Sequence, residues 1–156
     1  MDSERVSIDG LPVKVLDVEK NFILNADYKL MDFDINNIEE KFANESKKLL
    51  PKNNYIGFSI TQGNIYRKKQ WPLKNIVNLC NIFKQSNKTP VFFIEKNNIE
   101  LKSKIQKLIP YSLFPEHESN LASPALVTCL GNRLDFAITI DNGIMHMLSL
   151  SKVPMI

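Results

Sequence analysis

From residue 55 onward the apolar positions follow two alternating patterns. Strand-like segments at Tyr55–Ile60, Pro90–Ile94 (continuously apolar) and Phe136–Ile140 (apolar over Phe136–Ile138) are separated by stretches in which apolar residues recur every three or four positions. Short apolar runs bounded by turn residues predict strands covered on both faces, and the longer period predicts amphipathic helices. Leu73, Ile76, Val77, Cys80 and Phe83 mark one helix, opened by Pro72 at a first-turn position. Ile99, Leu101, Ile105 and Leu108 mark a second, closed by Pro110. Pro124 to Leu134, with Leu126, Val127 and Leu130 as its apolar side, supplies a third, and Gly143–Leu150 a fourth. Tyr111 to Phe114 reads as a short strand, and Val153 to Ile156 as the start of a further one.

Strand and helix in alternation predict an α/β fold, with parallel strands, right-handed crossovers and helices on both faces of the sheet. Ligands of such sheets sit beyond the carboxyl ends of the strands, so the loops after Ser59, Ile94 and Ile140 are expected to share one rim. No helix follows Val153–Ile156 to cover it, which predicts that the sheet is incomplete at the C-terminus and that the chain is a piece of a longer protein.

The first 50 residues are less regular. Val13–Val18 and Phe22–Leu24 read as short strands, and Tyr28 to Phe33 alternates weakly. From Asn36 to Leu50 the pattern is helical, with Ile35, Ile38, Phe42 and Leu49 near one face, acidic residues early and lysines late. That order complements the helix dipole, and Pro51 ends the segment, leading into a linker at 51–54.

Composition narrows the class. A chain of 156 residues with 44% hydrophobic and 24% charged content is a globular protein of about one domain. A net charge of +3 suits an anionic ligand but lacks the footprint of a dedicated nucleic-acid binder. The basic run Arg67-Lys68-Lys69 is short, and aromatic residues do not interleave with it, so no nucleic-acid partner is expected. Cys80 and Cys129 lie among apolar residues with no CxxC or Cys/His cluster, which predicts two buried thiols and no metal site. No apolar run approaches the roughly 20 residues that span a bilayer, and Met1 to Arg5 does not open like a signal peptide. The location expected is cytoplasmic.

Two constellations carry candidate chemistry. Ser59-Ile60-Thr61-Gln62-Gly63-Asn64 follows a strand, where small and hydroxyl-bearing residues let backbone approach a ligand. Lys69, just ahead of Trp71-Pro72, can reach a phosphate as a point charge. Neither a GxxxxGK[ST] loop nor GxGxxG is present, and taken alone Arg67-Lys68-Lys69 reads as a solvated run. The second constellation is Asp141-Asn142-Gly143-Ile144-Met145-His146, a strand end, a capping residue, a glycine and a first helical turn. The orphan N–H groups of such a turn favour a phosphate, although the same residues also fit a plain cap with a packed histidine. His117 reads as an exposed loop residue.

Together these motifs resemble glycosyltransferase family 9, the heptosyltransferases of lipopolysaccharide synthesis. The family pattern of a strand, a Ser/Gly-rich loop and a lysine two residues ahead of Trp-Pro is matched by Ser59 to Gly63 with Lys69-Gln70-Trp71-Pro72. Its later signature, Asp-(Thr/Ser)-Gly-x-x-His, is matched by Asp141 to His146, with Asn142 in place of the hydroxyl residue. The motifs lie about 70 residues apart, and the resemblance covers about residues 51–156.

The resemblance implies the Rossmann-like, donor-binding C-terminal domain of a GT-B glycosyltransferase over 51–156. Residues 1–50 would then be a remnant of the acceptor domain and a linker helix. It implies transfer of a heptose-like sugar from a nucleotide-diphosphate donor, such as ADP-heptose, to a lipopolysaccharide-type acceptor bound by the other half. No cofactor is implied, and peripheral association with the inner membrane is. By position Lys69 would contact the diphosphate, and Ser59, Thr61 and Gly63 would line the phosphate-side loop. Asp141, Asn142 and Gly143 would hold phosphate or ribose, with His146 beside them. Glu95, or alternatively Glu100, would contact the nucleoside. The catalytic base would lie outside this chain. A non-catalytic nucleotide- or phosphate-binding module is the alternative reading.

Overall fold

A computed structural model describes residues 5–8, 11–14, 33–61 and 71–156. The chain forms two compact units, residues 1–32 and 33–156. In the first, β1 (Arg5–Ile8) pairs antiparallel with β2 (Leu11–Lys14). The strand expected over Val13–Val18 coincides with β2 at its first two residues. The remainder of that stretch and Phe22–Leu24 lie outside the described residues.

The second unit contains α1 (Glu40–Leu49), β3 (Tyr55–Ser59), α2 (Leu73–Gln85), β4 (Thr89–Phe92), α3 (Ile99–Leu108), α4 (Pro115–Glu118), α5 (Pro124–Gly131), β5 (Phe136–Thr139) and α6 (Gly143–Leu150). Strand β3 is central and pairs in parallel with β4 on one side and β5 on the other. Leu113 extends the sheet beyond β4 through a parallel bridge to Val91, and Met155 extends it beyond β5 through a bridge to Ala137. The stretches expected as short strands at 111–114 and 153–156 thus add single bridges to the sheet edges. Numbered along the chain, the five extended segments stand in the order 3-2-1-4-5, that of a doubly wound Rossmann-like sheet.

This order determines where the helices go. From β3 the chain steps outward through β4 to Leu113, and then in the opposite direction through β5 to Met155. Right-handed crossovers in opposite directions place their helices on opposite faces. Accordingly Ile76 and Cys80 of α2 and Ile105 of α3 pack with Ile56, Phe58, Phe92, Ile94 and Ile138. Leu126, Val127 and Leu130 of α5 and Leu148 of α6 pack with Tyr55, Val91, Phe93 and Ala137 on the other face, with Phe42 and Leu49 of α1 beside them. The strand interiors are apolar because both faces are covered, with polar residues only at the ends, Ser59, Thr89 and Thr139, and each fully buried Phe or Ile contributes about 1.5–3 kcal/mol.

Gly57 is the small position in this sandwich. A Cβ there would stand 2.7 Å from Leu134 Cδ1 and 3.2 Å from both Ala137 and Phe93, so the glycine lets α5 and its following turn close on the sheet. Both cysteines are buried, as their apolar neighbours imply, and burial pushes the Cys80 thiol up to about 12.

Three expectations change at the boundaries. The helix expected from Asn36 starts at Glu40, preceded by a 3-10 turn over Ile35–Asn37 that Asp34 caps by accepting from Asn36 N at 2.9 Å. Apolar residues three apart fit both conformations, so periodicity alone did not separate them. Pro72 sits at the N-cap, one position ahead of α2. His117 is in helix α4, half-buried rather than an exposed loop residue, because Pro115 starts a helical turn that folds it against the Phe114 ring.

Candidate functional site

The reversal of strand order between β3 and β5 opens a crevice at their carboxyl ends. Ile140 N donates to the Ser59 carbonyl at 3.1 Å, carrying the parallel pairing to that rim. Beyond it the two loops are joined by Asn142. Its Nδ2 donates to Ser59 Oγ at 2.7 Å and to the Thr61 carbonyl at 2.8 Å. Its Oδ1 accepts from Met145 N at 3.0 Å, which makes it the N-cap of α6. One side chain therefore fixes both the start of α6 and the course of the β3 loop.

Next to this joint lies a cavity of about 390 Å³, within the range of small-molecule sites. Thr61 and Glu95 line it from the ends of β3 and β4, and Asn142 and Gly143 from the start of α6. Ser123 and Pro124 line it from the start of α5, where Ser123 Oγ accepts from Leu126 N at 3.3 Å. Two helix N-termini therefore border one cavity, each with orphan N–H groups and partial positive charge. Val127, Ile144 and Met147 provide apolar wall, and Lys96 and Glu116 complete the polar part.

The acidic side is electrostatically coupled. Thr61 Oγ1 lies 3.5 Å from Glu95 Oε1, at the long limit of a hydrogen bond. Burial, and then the Glu95 charge, push the Glu116 carboxyl up to about 7. His117 is driven below its usual range, first by burial and then by Lys102, with backbone carbonyls of Glu95 and Ile94 acting in the opposite direction.

Of the residues singled out in the sequence, Thr61, Glu95, Asn142 and Gly143 meet at this cavity. Ser59 is fully buried beneath it, engaged with Asn142. Asp141 and His146 are exposed and are not among the cavity-lining residues. Glu100 lies in the first turn of α3, likewise off the lining. Gly63 and Lys69 lie outside the described residues. Sequence reasoning missed Glu116 and Lys96, which no motif marks, and Ser123-Pro124, although Ser before Pro is a recognisable helix start. Among the described residues, no group of three or more His, Cys, Asp or Glu side chains is placed to hold a metal ion.

The chain is a Rossmann-like α/β domain with a cavity at the strand-order reversal. Among solved structures the chain is similar to a glycosyl transferase family 9 protein from Veillonella parvula, with a TM-score of 0.64 and 19% identity over 76% of this chain. The match takes in 35% of that protein, so the chain spans about a third of its length. No family model and no curated protein matches the sequence.

Proposed function

We propose that this chain binds the nucleotide-sugar donor of a glycosyltransferase. The observation that carries the reading is the cavity at the β3–β5 reversal, bordered by Thr61, Glu95 and the start of α6, on the fold of a family 9 glycosyl transferase. In this reading the N–H groups at Gly143 and the ammonium of Lys69 neutralise the diphosphate. An acceptor hydroxyl attacks the anomeric carbon, its proton passes to a base in the acceptor-binding half, and the nucleoside diphosphate departs with the bonding electrons. Preorganised N–H donors favour that departure because they match charge that grows as the bond breaks.

The donor proposed is a nucleoside-diphosphate heptose of the ADP-heptose type, and the acceptor a lipopolysaccharide-type glycan. The setting proposed is the cytoplasmic face of the inner membrane, with peripheral attachment. Among the described residues no helix is long and apolar enough to cross a membrane. A second reading, a nucleotide- or phosphate-binding module without transfer activity, draws on Asn142, whose polar atoms are engaged by Ser59, Thr61 and Met145.

Calorimetry with nucleoside diphosphates tests the binding, and release of nucleoside diphosphate in the presence of an acceptor glycan tests the transfer. Affinity in the micromolar range without turnover by the full-length gene product selects the module. Absence of any nucleotide or phosphate binding removes both readings.

A further inference from the structure

Among the described residues, the Glu116 carboxyl makes no hydrogen bond or ion pair. It follows Pro115 at the start of α4, is only 8% exposed, and its Oε1 is buried with no hydrogen-bond partner among the described residues. Carboxyl groups are rarely buried in that way, because an unmade hydrogen bond is costly away from water. A buried polar atom lacking a partner in the protein fits a position whose partner is a ligand, and Glu116 lines the cavity that Glu95 also lines.

The cavity has two chemical characters. The helix starts at Asn142–Gly143 and Ser123–Pro124 attract an anion, whereas the two carboxyls repel one and call for hydrogen-bond donors. A ligand that satisfies both is anionic in one part and rich in N–H or O–H groups in another. A nucleoside phosphate has that distribution, with phosphates for the helix starts and ribose hydroxyls or base N–H groups for the carboxyls.

We propose that Glu116 is a specificity-determining residue of this cavity, its buried Oε1 accepting a hydrogen bond from an N–H or O–H of the nucleoside part of the ligand. The inference rests on the nucleotide reading above and adds a second carboxyl to the one that Glu95 provides. Removing the acceptor leaves the ligand's donor unpaired at a buried position of the cavity, which is how a polar site rejects a ligand.

The test is calorimetry on the 156-residue chain with ADP, GDP, CDP, UDP and, separately, inorganic pyrophosphate. The unaltered chain is expected to bind at least one nucleoside diphosphate more tightly than pyrophosphate. Glu116→Ala is expected to weaken that nucleotide about tenfold or more and to leave pyrophosphate within about twofold. Glu116→Gln, which keeps the volume, is expected to weaken the nucleotide less than Ala does, again without effect on pyrophosphate. It should also melt no lower than the unaltered chain at pH 8, since it removes a buried charge, whereas a structural role would lower the melting temperature. Should the alanine variant fail to fold, the glutamine variant decides by the same comparison. Equal losses for nucleotide and pyrophosphate, or no loss for either, overturn the role of Glu116 and leave the nucleotide reading intact. An unaltered chain that binds pyrophosphate at least as tightly as every nucleotide also overturns that role. One that binds none of the five overturns the nucleotide reading together with this inference.

Discussion

Asn142 and Ser59, 83 residues apart in sequence, are hydrogen-bonded across the point where the strand order reverses, Nδ2 to Oγ at 2.7 Å. The same amide also reaches the Thr61 carbonyl and caps α6. A hydroxyl residue here, as in the Asp-(Thr/Ser)-Gly pattern that the segment resembles, could cap the helix but offers one O–H donor on a shorter side chain, where the amide donates twice to the β3 loop.

Asn142→Ala is therefore expected to lose a cap and two hydrogen bonds, destabilising the chain by about 2–3 kcal/mol. Asn142→Ser keeps the cap and should cost about 1 kcal/mol through the lost loop contacts. Urea denaturation of the two variants measures the difference. Equal losses would mean that only the loop contacts matter and the cap adds nothing.

Lys69→Ala is expected to weaken nucleoside-diphosphate binding at least fivefold, about 1 kcal/mol, with a reduced dependence of affinity on salt. Unchanged affinity by calorimetry, in a chain that binds nucleotide, would remove Lys69 from the site.

Stability should depend on pH through Glu116. Its carboxyl rises from the usual 4.5 to about 7 on folding, so the folded state holds the proton more tightly than the unfolded one. The contribution is fully present below about 4.5 and is lost as pH rises through about 7, amounting to at most about 3 kcal/mol. His117 acts in the reverse sense, because its lowered value costs stability as pH falls below its ordinary 6.5. The melting temperature is expected to fall between pH 5 and pH 8, and Glu116→Gln to flatten that decline. A decline of the same size in the glutamine variant would assign it to other groups.

Gly131, the last residue of α5, faces Ser151 just after α6 so closely that an added Cβ would overlap Ser151 Oγ and stand 2.8 Å from its Cβ. Gly131→Ala is expected to destabilise by about 1–3 kcal/mol through overpacking. Adding Ser151→Gly should recover part of that loss, and a double-mutant cycle by thermal denaturation checks the coupling.

The alternation of apolar runs with helical periods was enough to define a parallel α/β sheet. Burial on both faces writes itself into a strand as an apolar run, uninterrupted at Pro90–Ile94 and broken only near the carboxyl end at Tyr55–Ile60 and Phe136–Ile140. The motif at Asp141 to His146 was legible for the same kind of reason, since a cap, a glycine and a helical turn are local features. Glu116 was not legible. Its burial depends on a four-residue helix folding against the end of β4, and a charged residue between Pro115 and His117 reads from sequence as solvated surface. The pairing of Asn142 with Ser59 was likewise decided by the fold, because only the strand order brings the two loops together. Sequence alone determined which segments are strands and helices and which residue types end them, since those choices depend on neighbours along the chain. Which loop residues share a cavity, and which carboxyl is left there without a partner, depends on neighbours across the sheet and was decided only by tertiary structure.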